Sequence, residues 1–209
     1  MSDLKRENGP PRETHDRILR AALEEFAEHG LAGARVDRIA RRADVNKAMI
    51  YYHFTSKEKL YDRVVEDHFE KATSDVHEHL APDQPLAEQL KGMAAVYARI
   101  ATDRPRIFQL LLRELANPES RILKQAADFI TASGIPSMIL DRIKKERAAG
   151  DLRDIRAKHA ICSFVAMNIG YIVLAPLLNQ AFDIKDSEAF LADRADAVVD
   201  LFLNGVLKR

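Results

Sequence analysis

Between Asn46 and Lys57 the chain reads NKAMIYYHFTSK, a run of side chains suited to contact with duplex DNA. Lys47 follows Asn46, and an ammonium there can reach a guanine edge or a phosphate. Ala48 and Met49 are small or flexible and apolar, so they allow close approach to thymine methyls. Tyr51, Tyr52 and His53 offer hydrogen bonds at phosphate height. Lys57 begins the next predicted helix, where backbone N–H groups and the dipole already favour an anion.

Other reactive residue types carry less. In His77-Glu78-His79 the histidines stand at i and i+2, on nearly opposite helix sides, which is not the zinc spacing of H-E-x-x-H. Asp75 and His79 do share a face, but solvated polar residues at a helix end are far commoner, so no metal site is expected. Cys162 is the only cysteine; no internal disulfide can form, which suits a reducing cytoplasm. Its apolar neighbours predict a small core residue rather than a nucleophile. With no Gly-rich phosphate loop, nucleophile elbow or carboxylate cluster, neither an enzyme site nor a cofactor is expected.

The elements that must position the Asn46–Lys57 run are helices. Glycine and proline number eight each, periods near 3.6 recur, and no window alternates as a strand does, so the fold is predicted all-α. Residues 1–12 read as a flexible polar arm. The first helix is expected from Glu13 to Glu28, with Ile18, Ala22 and Phe26 in one apolar row and Gly30 as a left-handed C-terminal cap. Two short helices follow, Val36 to Ala43 and Lys47 to Phe54, separated by a tight break at Asp44-Val45, with Asn46 as N-cap of the second. Ser56 caps a long helix from Lys57 to about Leu80. Further helices are expected over Leu86–Thr102, Pro105–Ala116, Ser120–Ala148 (broken near Gly134-Ile135-Pro136), Ile155–Leu178 and Ser187–Leu207.

Net charge is zero, yet eight basic residues face four acidic ones from Arg35 to Arg63. A basic head on a mildly acidic body fits a protein with one end on phosphate. The uncharged stretch from Ala160 to Leu178 has the length of a membrane span. It holds Ser163, Asn168, Gly170 and Pro176, and reads instead as a helix buried all round in a core or subunit interface.

Two short helices joined by a tight turn and backed by an amphipathic helix are the parts of a helix-turn-helix reader. From Thr14 through Lys57, the segments ILRAALEEFAEHG, VDRIARRADVNKAMIYYHF and SKEKL resemble the TetR family signature in order and spacing. The resemblance implies that Arg35 and the Lys47–His53 helix contact DNA, with Lys57 on a phosphate. The candidate DNA-binding set is Arg35, Asn46, Lys47, Ala48, Met49, Tyr51, Tyr52, His53 and Lys57. Many relatives have Ser or Thr where Arg35 stands, Gly for Asp44 and Gly-Thr for Ala48-Met49. Asp44 tolerates a left-handed backbone; the other changes alter the reading surface.

The expected organisation is an arm (1–12), a three-helix DNA-binding domain (13–58), and a helical effector-binding and dimerisation domain (59–209). Dimerisation through the last two long helices is implied by the resemblance. Independent support comes from Ile161, Val165, Ile169 and Ile172 on one helix and Leu191, Ala195, Val198 and Phe202 on the other. Tyr97, Phe108, Met138, Phe164, Met167, Asn168 and Tyr171 supply the apolar walls and few polar groups that a small-molecule cavity needs. The expected protein is thus a cytoplasmic regulator, with operator DNA, a second copy of itself and a small-molecule effector as partners, and no membrane. The alternative is a helical ligand-binding or protein-interaction module without DNA-binding activity.

Overall fold

The computed structural model describes residues 11–81, 84–115 and 120–207, and these are all-α apart from one isolated bridge between Leu152 and Leu207. Residues 1–10 of the expected arm, Pro82 and Ala116 lie outside the described residues. The helices are α1 (Pro11–Gly33), α2 (Val36–Ala43), α3 (Lys47–Phe54), α4 (Lys57–Glu78), α5 (Leu86–Asp103), α6 (Pro105–Leu115), α7 (Arg121–Ala132), α8 (Ile135–Ala149), α9 (Ala157–Ala181) and α10 (Ser187–Val206). The α7–α8 break falls at Gly134, whose φ of 76° needs no Cβ, with Pro136 in the first turn of α8.

Two compact units emerge: residues 11–70 with 106–127, and residues 71–105 with 128–207. The first is built on the predicted rows. Ile18, Ala22 and Phe26 of α1 meet Val36, Ile39 and Ala40 of α2, Ile50 and Phe54 of α3, and Leu60, Val64 and Val65 of α4. Ile107 and Leu110 of α6 and Ile122 of α7 complete this core. The unit therefore reaches beyond the expected boundary at residue 58. Gly30 does not act as the expected left-handed cap. Its φ of 66° and ψ of 175° kink α1, and a last turn continues to Gly33. A Cβ there would stand 3.4 Å from the Arg113 guanidinium, which donates to the Glu28 carbonyl at 3.0 Å.

In the second unit α5, α9 and α10 pack together, and α8 lies against α9. Leu90 and Met93, Ile135, Phe164, and Val198 and Val199 form its main core. By length and composition α9 is the one described helix apolar enough to cross a membrane. Within the single chain it is buried on one side: Phe164, Asn168 and Tyr171 face inward, while Cys162, Val173, Leu174 and Leu177 are exposed. Cys162 is thus a surface residue of the chain, not a core one, because it projects from the side opposite the inward row.

Candidate nucleic-acid interface and effector cavity

The turn between α2 and α3 is held from behind by α1. Asp44 closes α2 in the left-handed region (φ 51°, ψ 51°), its N–H shared between the Ala40 and Arg41 carbonyls. The Arg17 guanidinium donates to the carbonyls of Ala43 at 2.5 Å and Asp44 at 2.7 Å, capping the helix end that the dipole makes negative. At the other end of α2, Arg35 has no side-chain oxygen to cap with. Glu25 of α1, wholly buried, accepts from the Arg35 backbone N–H at 3.0 Å and from Arg38 Nε at 2.7 Å. A carboxylate borrowed from α1 thus replaces the usual N-cap, so Arg35 can stand there with its side chain exposed. Beside it, Arg42 donates to Glu28 at 2.6 Å, and this hydrogen bond holds the Glu28 carboxyl below its ordinary range. Glu25, Glu28 and His29 bring possible ligand atoms within 4.8 Å of one another, but Arg38 and Arg42 already engage both carboxylates.

In α3, Asn46 Oδ1 accepts from the Ala48 N–H at 2.9 Å, so this oxygen serves as the N-cap. Ile50 and Phe54 anchor the helix in the core, and Lys47, Ala48, Tyr51 and Tyr52 are exposed, Tyr52 to 79%. Met49 is half-buried. His53 departs from expectation. It is half-buried and makes edge contacts with Tyr52 and His15, and its Nε2 is enclosed without a hydrogen-bond partner, so that nitrogen is not offered to a phosphate. Lys47 Nζ pairs with Asp37 of α2 at 2.8 Å. That hydrogen bond lowers the Asp37 carboxyl and raises the Lys47 ammonium from their ordinary values.

A γ-turn at Thr55 (φ 61°, ψ −42°) connects α3 to α4, closed by the Ser56 N–H on the Phe54 carbonyl at 2.6 Å. Ser56 Oγ then caps α4 by accepting from Lys59 N at 3.1 Å. Lys57 Nζ donates to the Ala34 carbonyl at 3.2 Å, tying α4 to the loop before α2. A cleft at the start of α2, α3 and α4 is lined by Arg35, Asp37, Lys47, Tyr51, Lys57 and Glu58. It gathers three cations near helix N-termini, the setting that favours a phosphate.

The second unit contains a cavity of about 360 Å³ walled by α5, α8, α9 and α10. Of the expected ligand residues it receives Met138 and Phe164. Tyr97 and Met167 pack against the core, and burial raises the Tyr97 phenol. Asn168 donates to the Phe164 carbonyl at 2.8 Å. Tyr171 donates to Asn179 at 2.8 Å under the Arg194 guanidinium. Phe108 belongs to the first unit. Ile161, Val165 and Phe202, expected at a subunit interface, line the cavity within the chain. Val198, expected there too, is only 3% exposed and lies in the chain's own core. Ile169, Ile172, Leu191 and Ala195 are half-buried. The exposed apolar face is one helix position away: Val173, Leu174 and Leu177 on α9, with Phe190 and Leu201 on α10. Polar markers on α9 are few, and one of them, Asn168, is buried on the inward row, so hydrophobicity alone does not separate the two faces. His77 lies within hydrogen-bond distance of the Thr73 and Ser133 carbonyls, at 2.7 and 3.0 Å, a backbone role rather than a metal one.

Comparison with known proteins places these features in context. Residues 18–64 match the family model described as bacterial regulatory proteins, tetR family. The chain is 30% identical over 200 residues to the HTH-type transcriptional repressor NicS of Pseudomonas putida, covering 92% of each chain. It is 50% identical over 56 residues to the HTH-type transcriptional repressor SCO4008 of Streptomyces coelicolor, covering 27% of this chain and 29% of that one. Among solved structures, the transcriptional regulator FadR from Bacillus subtilis, crystallised in complex with stearoyl-CoA, shares the fold. Its TM-score is 0.69 at 18% identity, over 91% of this chain and 98% of that one.

Proposed function

Because the chain belongs to the TetR family of bacterial regulatory proteins, we propose that it is a ligand-responsive repressor that grips a pseudo-palindromic operator as a homodimer. The observation that carries this reading is α3: its leading side chains Lys47, Ala48 and Tyr51 are exposed, while Ile50 and Phe54 anchor it from beneath. A two-turn helix held in this way can enter a major groove by its N-terminal turns. Arg35, Lys47 and Lys57, around the cleft at the helix starts, take the flanking phosphates; Lys47 and Lys57 exchange their present partners for DNA.

Two copies pair through the exposed face of α9 and α10, centred on Leu174, Leu177 and Leu201. Two-fold symmetry then sets the reading helices roughly 34–36 Å apart, one turn of the duplex. The cavity of the second unit holds the effector. Helix α4 begins beside the reading helix and runs without interruption to Glu78, so a ligand that prefers one position of α4 changes the spacing of the heads. Near-complete release needs a preference of about 5.5 kcal/mol between the two states. Repression is favoured by the name of NicS and by the simplicity of blocking a promoter. A protein acting on chromosomal DNA works in the cytoplasm.

The test is binding to duplexes selected from a random pool by the protein itself, measured across a range of salt. Lys47→Ala and Tyr52→Ala should abolish selective binding while helical content and melting temperature hold. Variants that fold and bind as before would overturn α3 as the reading helix, and a wild-type chain that enriches no duplex would leave a helical ligand-binding module without DNA-reading activity.

A further inference from the structure

Within the reading of the second unit as an effector domain, we propose that the cavity takes a straight-chain aliphatic carboxylate, with its alkyl chain inside and its head at Lys145. The walls come from aliphatic residues such as Leu86, Leu90, Ile139, Ile143 and Val206, with the faces of Phe164 and Phe202. Gln89 is the one buried polar residue in the lining, and its amide N–H already donates to the Ala81 carbonyl at 2.6 Å. A polar heterocycle would strand its donors and acceptors against such walls. An alkyl chain strands nothing, and each methylene adds apolar burial.

The charged part of the lining comes from α8 alone: Asp141, Arg142 and Lys145. Asp141 is held by Lys144 at 2.9 Å and Arg142 by Glu146 at 2.7 Å. For Lys145, among the described residues, no carboxylate lies at ion-pair distance. The mouth therefore offers one uncompensated cation, the complement of a single carboxylate on an apolar tail. That lysine is exposed, so the head contact orients the ligand while the affinity comes from the chain.

The experiment is calorimetric titration of the full chain, without DNA, with alkanoates from hexanoate to tetradecanoate below their micelle concentrations. Affinity should rise about fourfold per methylene, the factor expected for a buried CH₂, and level off when the cavity is full. Ala160→Phe, which narrows the cavity from α9, should move that plateau to shorter chains. Because that variant adds bulk, Lys145→Gln serves as a second check on an exposed site. It should weaken alkanoate binding roughly three- to fivefold and leave the matching alkanol unchanged. No binding, or affinity independent of chain length, overturns the proposal; equal loss of acid and alcohol in Lys145→Gln overturns the head assignment. Release of DNA is measured separately. Alkanoates that bind with the predicted dependence yet leave DNA binding intact would uphold this ligand class and overturn the effector reading.

Discussion

Asp37 faces the reading helix with a charge that DNA would repel, and it holds the Lys47 ammonium at 2.8 Å. Any phosphate that recruits Lys47 must displace this carboxylate, so the pair acts against sequence-independent binding. Asp37→Asn should raise affinity for a random-sequence 30-base-pair duplex several-fold at low salt and steepen the log–log salt slope by about one. Adding Lys47→Ala should cancel the gain; an unchanged slope in Asp37→Asn would mean the lysine is equally available with its partner. Tyr61 shows the same economy of contact deeper in. It is 2% exposed, edge-on to Phe26 at 4.8 Å, and hydrogen-bonded to Glu114 at 3.3 Å. Burial first, then the Glu114 charge, push its phenol well above the ordinary 10.0. The folded state keeps the proton that the unfolded chain loses. Stability from this group is therefore full below pH 10.0 and falls as pH rises past it. Denaturant midpoints at successive pH values should decline more steeply in the wild type than in Tyr61→Phe above that pH, with parallel curves below it.

For the short helices, tertiary props replace local signals. Eight residues are too few for a helix to persist alone in water; α2 and α3 depend on Glu25, Arg17 and the apolar anchors beneath. Glu25→Ala removes two hydrogen bonds to a charged acceptor, while Arg38, half-exposed, can turn to water. The expected loss is roughly 2–3 kcal/mol, read from chemical unfolding, with Glu25→Gln losing less. A change within experimental error would show that apolar contacts alone hold α2. The same reasoning explains what was legible in the sequence. Rows such as Ile18-Ala22-Phe26, the Asn46 cap and the Asp44 turn are set by residues close in the chain, so pattern reveals them. The contacts of α6 and α7 with the head, the Glu25 cap and the Lys47–Asp37 pair join residues 10 or more positions apart, where spacing holds no record. The ring contact between His53 and His15 joins distant residues and has no local signal either.

For the whole molecule, the proposed pairing turns on the surface of α9 and α10, where Leu177 is 62% and Leu201 66% exposed. Leu174→Glu with Leu177→Glu should yield a folded monomer by sedimentation, whereas Val198→Glu, placing a charge in the core, should unfold the second unit. A dimer that survives the double change would place the interface elsewhere. The cavity and this face lie on different sides of the same two helices. A chain with no net charge and a sequence pI near 7.1 has no long-range repulsion to keep unpaired copies apart. Copies whose exposed α9–α10 face is uncovered would then clump in neutral, low-salt solution. The recovered soluble fraction should improve on moving a unit or two away from neutrality, and the two added glutamates should remove the need for that move.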